Sequence, residues 1–171
     1  MSADSTELSP TLRARLADDP LWDFALDLYA RPGVEAACLR LQDEAGLEAL
    51  ELLWRAWLYR HGLAAGPFPE AVRRWQAEIT APLRRLRRDL KAEAEARAGV
   101  AALRERLKVA ELEAEREALS RLAAHSLAGH GLRPLSSPPP ACREVLAHGT
   151  QLLKKSHFLA LETLAGQLDP S

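Results

Sequence analysis

The stretch LEALELLWRAWLYRHG, residues Leu47 to Gly62, decides the fold. Its charged residues Glu48, Glu51 and Arg55 recur at helical spacing and share one narrow stripe, while large apolar side chains cover most of the remaining circumference. A helix that is apolar on most sides must be covered on several sides. Burying one large apolar side chain contributes about 1.5–3 kcal/mol, so this helix is predicted to form the centre of the core. Its two tryptophans also require a hydrogen-bond partner for each ring N–H.

The composition favours an all-α protein. Apolar residues make up 47% of the 171 residues and charged residues 27%, which is typical of a globular chain. Ala, Leu, Arg and Glu dominate, whereas the residues that favour strands are few. The periodicity predicts an irregular helical bundle of about six to seven helices, with one long helix and a linker-joined C-terminal helical segment.

Prolines and glycines divide the chain into parts. The consecutive residues Pro138 to Pro140 exclude helix and favour extended backbone, and LAAGPFP at 63–69 is predicted to be a turn. The predicted parts are an N-terminal extension with a short helix at 1–18, a helical domain at 19–129, a Pro-rich linker at 130–140 and a C-terminal helical segment at 141–171.

Local signals also predict where helices begin, bend and end. Ser9 before Pro10 fits an N-cap with proline at the first helical position, and Gly46 fits a C-cap. Thr80 to Pro82 predicts either a kink or a new helix start. We expect a break near Gly99, before a long helix that reaches about Ala128. Gly149 is a further position where the C-terminal helix could be split.

Part of the chain resembles a known family. The segment LWDFALDLYARPGVEAACLRLQDEAGLEALELLWRAW, followed by PLRRLRRDLK at 82–91 and ELEAER at 111–116, closely resembles an uncharacterised family of short proteobacterial proteins, a domain of unknown function. The likeness covers roughly residues 20 to 125. It implies a bacterial, cytoplasmic, helical protein and assigns no chemistry.

The charges are distributed unevenly. Residues 1–70 have a net charge of −6 and residues 71–171 one of +5, so the two parts could attract each other or an acidic partner could bind the basic part. The densest basic run is the candidate binding site, because arginine suits bidentate contact with phosphate or carboxylate. Its residues are Arg84, Arg85, Arg87, Arg88 and Lys91. No aromatic residue interleaves with them to stack nucleic-acid bases.

Polar residues next to apolar helix faces suggest a second candidate. Asp23, Gln42 and Asp43 could form a buried polar network if they point inward, with the arginines at 84–88 as partners. A polar floor for a small ligand is the alternative. The acidic residues Glu111, Glu113, Glu115 and Glu117 are predicted to form a solvated face of the long helix.

Catalytic and metal-binding motifs are missing from the sequence. The five histidines form no HExxH and no paired ExxH, and Glu144 with His148 is a single ExxxH, which supplies too few ligands for a metal site. There is also no CxxC, no GxSxG and no Gly-rich phosphate loop. Cys38 is expected to be a small core residue rather than a nucleophile. We therefore predict no catalytic residue, no metal and no cofactor.

The sequence also lacks transport signals. MSADSTELSP has neither a basic nor an apolar region of a signal peptide, and no apolar run is long enough to span a membrane. A cytoplasmic protein with two reduced thiols is expected, with no membrane partner.

These observations predict a non-enzymatic protein–protein interaction or adaptor module. It would bind another protein or a second copy of the chain through the long helix and the C-terminal segment, because their apolar seam and length exceed what one compact core requires. The first alternative is binding of RNA, a ribosome or phosphate through the arginine-rich helix face. The second is binding of a small ligand in a cavity near Trp22, Trp54, Trp57 and Gln42.

Overall fold

A computed structural model describes residues 8–148 and 154–168 of the chain, and the regular structure of these residues is helical except for a two-stranded ribbon. The predicted all-α class is therefore confirmed. The chain forms two compact units: one combines residues up to Phe68 with residues from Ala123 onward, and the other spans Pro69–Leu122. These bounds differ from the predicted domain at 19–129 and tail at 141–171, because the C-terminal residues complete the core of the first unit.

The first unit is built from six helices and two short strands within the described residues. Ser9 caps its first helix through a 3.2 Å hydrogen bond from the Leu12 N–H, and Gly46 ends the third helix in a left-handed conformation, as both positions predict. The elements are α1 (Pro10–Asp18), α2 (Leu21–Tyr29), α3 (Val34–Ala45), α4 (Ala49–Arg60), β1 (Leu63–Ala65), β2 (Leu132–Pro134), α9 (Cys142–Ala147) and α10 (Lys155–Leu168).

Helix α4 is the centre of this unit, as predicted. Trp54 and Trp57 are each 1% exposed. The Trp54 ring N–H donates to Ser126 Oγ at 2.8 Å, and the Trp57 ring N–H donates to the backbone oxygen of Asp19 at 2.7 Å. Both indoles therefore lie in the core with their only polar atom satisfied.

The two strands form an antiparallel ribbon in which Ala64 lies opposite Arg133. This pairing corrects the prediction for two segments. Residues 63–69, expected to be only a turn, begin with β1, and residues 130–140, expected to be only a linker, contain β2. The sequence signal was weak because each strand has three residues, too few for a period of two to show.

The C-terminal helix α10 packs on α3 and α9. Its buried side chains are His157, Ala160, Leu161 and Leu164. Its packing on the start of α3 is close: Gly33 has a φ of +80°, and a Cβ atom built there would lie 3.0 Å from Thr163 Cγ2. The C-terminal segment is thus an integral part of the first unit. The split predicted at Gly149 lies outside the described residues.

The second unit, which we call the helical hairpin, has two antiparallel arms. The first arm contains α5 (Glu70–Trp75), a π-helical turn (Gln76–Thr80), α6 (Ala81–Asp89) and α7 (Lys91–Ala96), and the second is α8 (Ala98–Leu127) up to Leu122. Arg97 separates the arms with extended dihedral angles of −133° and 115°. The break predicted near Gly99 is therefore confirmed.

The π-helical turn explains how a proline is accommodated in the first arm. The Ala81 N–H donates to the backbone oxygen of Gln76, five residues earlier. Pro82 has no backbone N–H, so it needs no acceptor in this turn. Buried Thr80 donates its hydroxyl to Gln76 Oε1 at 2.7 Å. The sequence predicts either a kink or a new helix start at Thr80 to Pro82. The structure shows an irregular turn within a continuing helix, not a new start.

Candidate interaction surface

Two arginines and two glutamates connect the arms of the helical hairpin. Arg84 Nε lies 2.9 Å from Glu111 Oε1, and Arg84 Nη2 lies 2.8 Å from Glu115 Oε1. Arg87 Nε lies 2.5 Å from Glu111 Oε2. Glu111 therefore accepts hydrogen bonds from two guanidinium groups. We call these four residues the arginine–glutamate cluster.

The cluster keeps its central carboxylate ionised. Burial alone would raise the pKa of Glu111, but the hydrogen bonds from Arg87 and Arg84 lower it below the ordinary glutamate value. Burial also opposes the charge of Arg84, yet its two glutamates raise its pKa. Glu115 behaves differently: burial raises its pKa, and Arg84 only partly offsets this. Glu111 is thus the carboxylate on which the cluster depends.

The structure divides the predicted basic site into two groups. Arg84 and Arg87 are half-buried and bound to the cluster, so their charges are already compensated. Arg85, Arg88 and Lys91 are exposed, and none has a hydrogen bond or ion pair with a described residue. The predicted solvated face is corrected in the same way, because Glu111 is buried and Glu115 half-buried while Glu113 and Glu117 are exposed.

Large apolar side chains remain exposed on the hairpin. The exposed fraction is 39% for Ile79, 48% for Leu86, 48% for Leu103, 61% for Val109 and 47% for Leu112. No residue from 81 to 110, a range that the structure describes throughout, is buried. Most of the hairpin therefore has little core of its own.

Helical spacing gathers many of these side chains on one flank of the arm-to-arm seam. Ile79, Leu83, Leu86 and Leu90 recur at i, i+4, i+7 and i+11 on the first arm, and Leu103, Leu107 and Ala110 recur at i, i+4 and i+7 on the second. We call these seven residues the apolar face. Leu83, Leu90, Leu107 and Ala110 are half-buried, and Ile79, Leu86 and Leu103 are the exposed members of the apolar face.

Trp75 fixes the arms to each other near the base of the hairpin. Its ring N–H donates to the backbone oxygen of Ala114 at 2.9 Å. The guanidinium of Arg121 lies 4.1 Å from the centre of the indole ring, within the range of a cation–π contact. Contacts near the base and at mid-length of the seam therefore hold the arms in a defined geometry.

The first unit contains a buried polar network at residues that the sequence did not single out. Arg55 is 2% exposed and donates to Glu51 Oε1 at 2.9 and 3.1 Å, to the oxygen of Ala65 at 3.2 Å and to the oxygen of Gly66 at 2.9 Å. Their helical spacing in the sequence predicts that Glu51 and Arg55 belong to a charged stripe on the surface of α4. Because α4 is covered on nearly every side, the stripe is covered too.

The predicted network at Asp23, Gln42 and Asp43 does not form. Asp23 and Asp43 are exposed and Gln42 is half-buried, so the three side chains do not lie together in the core. The apolar neighbours of these residues point inward, and the polar groups occupy the solvent side of the same helices. The signal that could have identified Arg55 is its i, i+4 spacing from Glu51 within a helix that must be covered all round.

The described residues show no metal-binding group and no helix that could cross a membrane. Within 8–148 and 154–168, no three His, Cys, Asp or Glu side chains are arranged to hold a metal ion. Over the same residues, every helix is too short or too polar for a membrane span. Cys38 and Cys142 are free, and burial raises the pKa of each thiol to about 12, so neither is an activated nucleophile.

Fold and surface together define an all-α protein with a helical hairpin that exposes leucines. The chain belongs to a family described as a protein of unknown function (DUF2390), which matches residues 20–122. No curated protein and no solved structure is significantly similar to it. The matched residues include the whole hairpin and α2 to α4 of the first unit, but not α9 or α10.

Proposed function

We propose that the protein is a non-enzymatic adaptor that binds another protein, or a second copy of itself, through the apolar face of the helical hairpin. The observation that carries this proposal is the exposure of Leu86 and Leu103 at 48% each on a unit with no buried residue from 81 to 110. Contiguous apolar surface on a water-soluble unit is typical of a protein-binding site.

The arrangement of the arms favours binding. The arginine–glutamate cluster and the contacts of Trp75 hold the two helices together without using the exposed residues Leu86 and Leu103. A face that is ordered before binding loses less conformational entropy when a partner docks. An amphipathic helix of a partner would bury the exposed leucines against its own apolar residues.

The C-terminal segment is not part of the proposed surface. The buried side chains of α10 pack within the first unit and are not available to a partner. Phe158 and Leu159 are exposed at 44% and 53%, but two adjacent residues do not form a helical stripe. The proposed binding surface is therefore limited to the hairpin.

A crosslinking experiment in cells tests the proposal. A photoreactive amino acid is placed at Leu86, at Leu103, or at Leu26, which is an exposed leucine of α2 with the same 48% exposure. We expect a discrete crosslinked species from positions 86 and 103 and none from position 26. Equal adducts from all three positions, or none from the two hairpin positions, would reject the proposal.

The mass of the adduct identifies the partner. Twice the chain mass would indicate a second copy, which light scattering of the purified protein should then also detect, whereas another mass would indicate a different protein. The proposal is set in a bacterial cytoplasm, which the resemblance to the family implies and which cell fractionation would test.

The exposed basic residues favour a second candidate function, binding of RNA or another polyphosphate. Arg85, Arg88 and Lys91 recur at intervals of three along the first arm and have no compensating charge within hydrogen-bond distance among the described residues. Such a row can contact successive phosphates, and its affinity falls with salt. The apolar face would then have no role in binding.

A matched pair of variants tests this second function. Changing Arg85, Arg88 and Lys91 to Gln should weaken binding to a labelled mixed-sequence RNA and reduce the salt dependence by up to about three charges. Changing Arg13, Arg15 and Arg40 to Gln removes the same charge from exposed sites of the first unit. Equal effects of the two variants in fluorescence anisotropy would reject a site on the hairpin.

A further inference from the structure

The first unit contains a cleft that the proposed adaptor function does not use. Its volume is about 360 Å³, within the usual range of small-molecule pockets. The ribbon forms one wall, the Pro-rich segment another and α9 a third. The lining residues that bear on its chemistry are Ala64, Ala65, Arg133, Ser136, Glu144 and His148.

Arg133 is the arginine that lines the cleft. It lies opposite Ala64 in the ribbon and is exposed, and its side chain has no hydrogen bond or ion pair with any described residue. Glu144 lines the same cleft without forming an ion pair with it. Ser136 is directed elsewhere, because its hydroxyl donates to the backbone oxygen of Pro138 at 3.0 Å. The guanidinium of Arg133 is therefore available to a ligand.

His148 lies at the end of α9 in a setting that favours an anion. Burial lowers the pKa of its imidazole, the positive charges of Arg55 and Arg133 lower it further, and Glu51 opposes them only in part. The field at the ring is thus positive. His148 also has a φ of +22°, so a residue with a side chain is held in backbone that favours glycine.

Arg55 contributes charge but not a ligand contact. Four hydrogen bonds direct its guanidinium to Glu51 and to the oxygens of Ala65 and Gly66. It therefore lies under the ribbon as a fixed positive charge. Arg133 and His148 are left as the groups that can donate hydrogen bonds to something in the cleft.

We propose that this cleft binds the phosphate or carboxylate group of a small molecule between Arg133 and His148. The planar guanidinium of Arg133 matches two oxygens of such a group, and the imidazole of His148 donates one further hydrogen bond. The bound anion compensates the positive field, so His148 takes up a proton more readily in the complex than in the free protein.

NMR spectroscopy of the full chain tests this site with two probes, inorganic phosphate and acetate, titrated at constant ionic strength. We expect the His148 ring signals to shift in a saturable way with at least one probe, and the pH midpoint of His148 to rise. Phosphate alone would indicate a phosphate-bearing ligand, and acetate alone or both would indicate tolerance of a carboxylate.

A matched pair of variants makes the test specific. Arg133→Gln should weaken binding of the active probe about tenfold or more, because two charge-assisted hydrogen bonds are lost. Arg40→Gln, an equally exposed change on α3 outside the cleft, should leave binding unchanged. The absence of a saturable shift with both probes, or equal affinity in Arg133→Gln and the wild type, would overturn the proposal.

Discussion

Arg55 shows how a charged residue can be placed in the core of a helical protein. Its side chain is almost fully buried and connects α4 to the ribbon through the oxygens of Ala65 and Gly66. Burial lowers the pKa of Arg55, and the hydrogen bond with Glu51 acts in the opposite direction. The two carbonyl groups would otherwise lack a donor, so the arginine completes the hydrogen bonding of the ribbon.

Replacement of Arg55 is predicted to destabilise the protein strongly. Arg55→Met should lower the free energy of unfolding by about 3–5 kcal/mol, since it leaves Glu51 and two buried oxygens without a donor. Urea denaturation measures the change. Arg40→Met, on the exposed side of α3, should stay within about 0.5 kcal/mol of the wild type. A similar loss for both variants would mean that the network contributes nothing.

Glu111 gives a prediction for pH dependence. Glu111→Gln should lower the stability of the hairpin by about 1–3 kcal/mol near neutral pH, while Glu113→Gln, at an exposed position, should change it little. Hydrogen exchange of the α8 amides measures both. Because the folded-state pKa of Glu111 lies below its unfolded value, the unfolded chain takes up the proton first and the stabilisation falls as pH falls.

The difference between the wild type and Glu111→Gln should therefore be largest above the pKa of free glutamate and shrink as pH falls through the lowered pKa. Glu115 acts in the opposite direction, because its raised pKa favours the folded state on acidification. Burial is the largest cause of that rise and remains in Glu111→Gln, although the contribution from the charge of Glu111 is lost there. A difference that grows with acidification would contradict this account.

At the scale of elements, the contact between α10 and the start of α3 depends on a glycine. Gly33→Ala should destabilise the first unit by about 1–3 kcal/mol, since the left-handed backbone strains any side chain and the new Cβ approaches Thr163 Cγ2. Gly99→Ala is the control: nothing lies within 4 Å, and α8 should gain up to about 1 kcal/mol. Thermal unfolding that shifts in the same direction for both variants would reject the argument.

The elements were predictable to the extent that their signals are local. The apolar circumference of α4, the Ser9 and Gly46 caps and the break before α8 all follow from spacing and residue type within a few positions. The ribbon and the pairing of Arg84 with Glu111 do not, because each joins residues far apart in the chain and no local pattern specifies the partner. The candidate basic site was found as a sequence run, but its division into bound and exposed arginines required the opposite arm.

At the scale of the whole molecule, the C-terminal helix determines whether the first unit is complete. Leu161 is fully buried and Leu159, two residues away, is 53% exposed. Leu161→Ala should cost about 2–5 kcal/mol and remove exchange protection from α3, whereas Leu159→Ala should change stability by less than about 0.5 kcal/mol. Unchanged protection of α3 in Leu161→Ala would show that α10 is dispensable.

The division of the first unit between the two ends of the chain also sets the order of events during synthesis. β1 is translated about 70 residues before β2. While the hairpin is being translated, the edge of β1 therefore has no partner strand and this part of the first unit stays open. The hairpin is one continuous stretch and can form from nearby contacts alone. Until the residues from Ala123 onward have left the ribosome, the nascent chain therefore holds an unfinished first unit beside a hairpin that is already complete in sequence, which makes this the stage at which a chaperone would be needed.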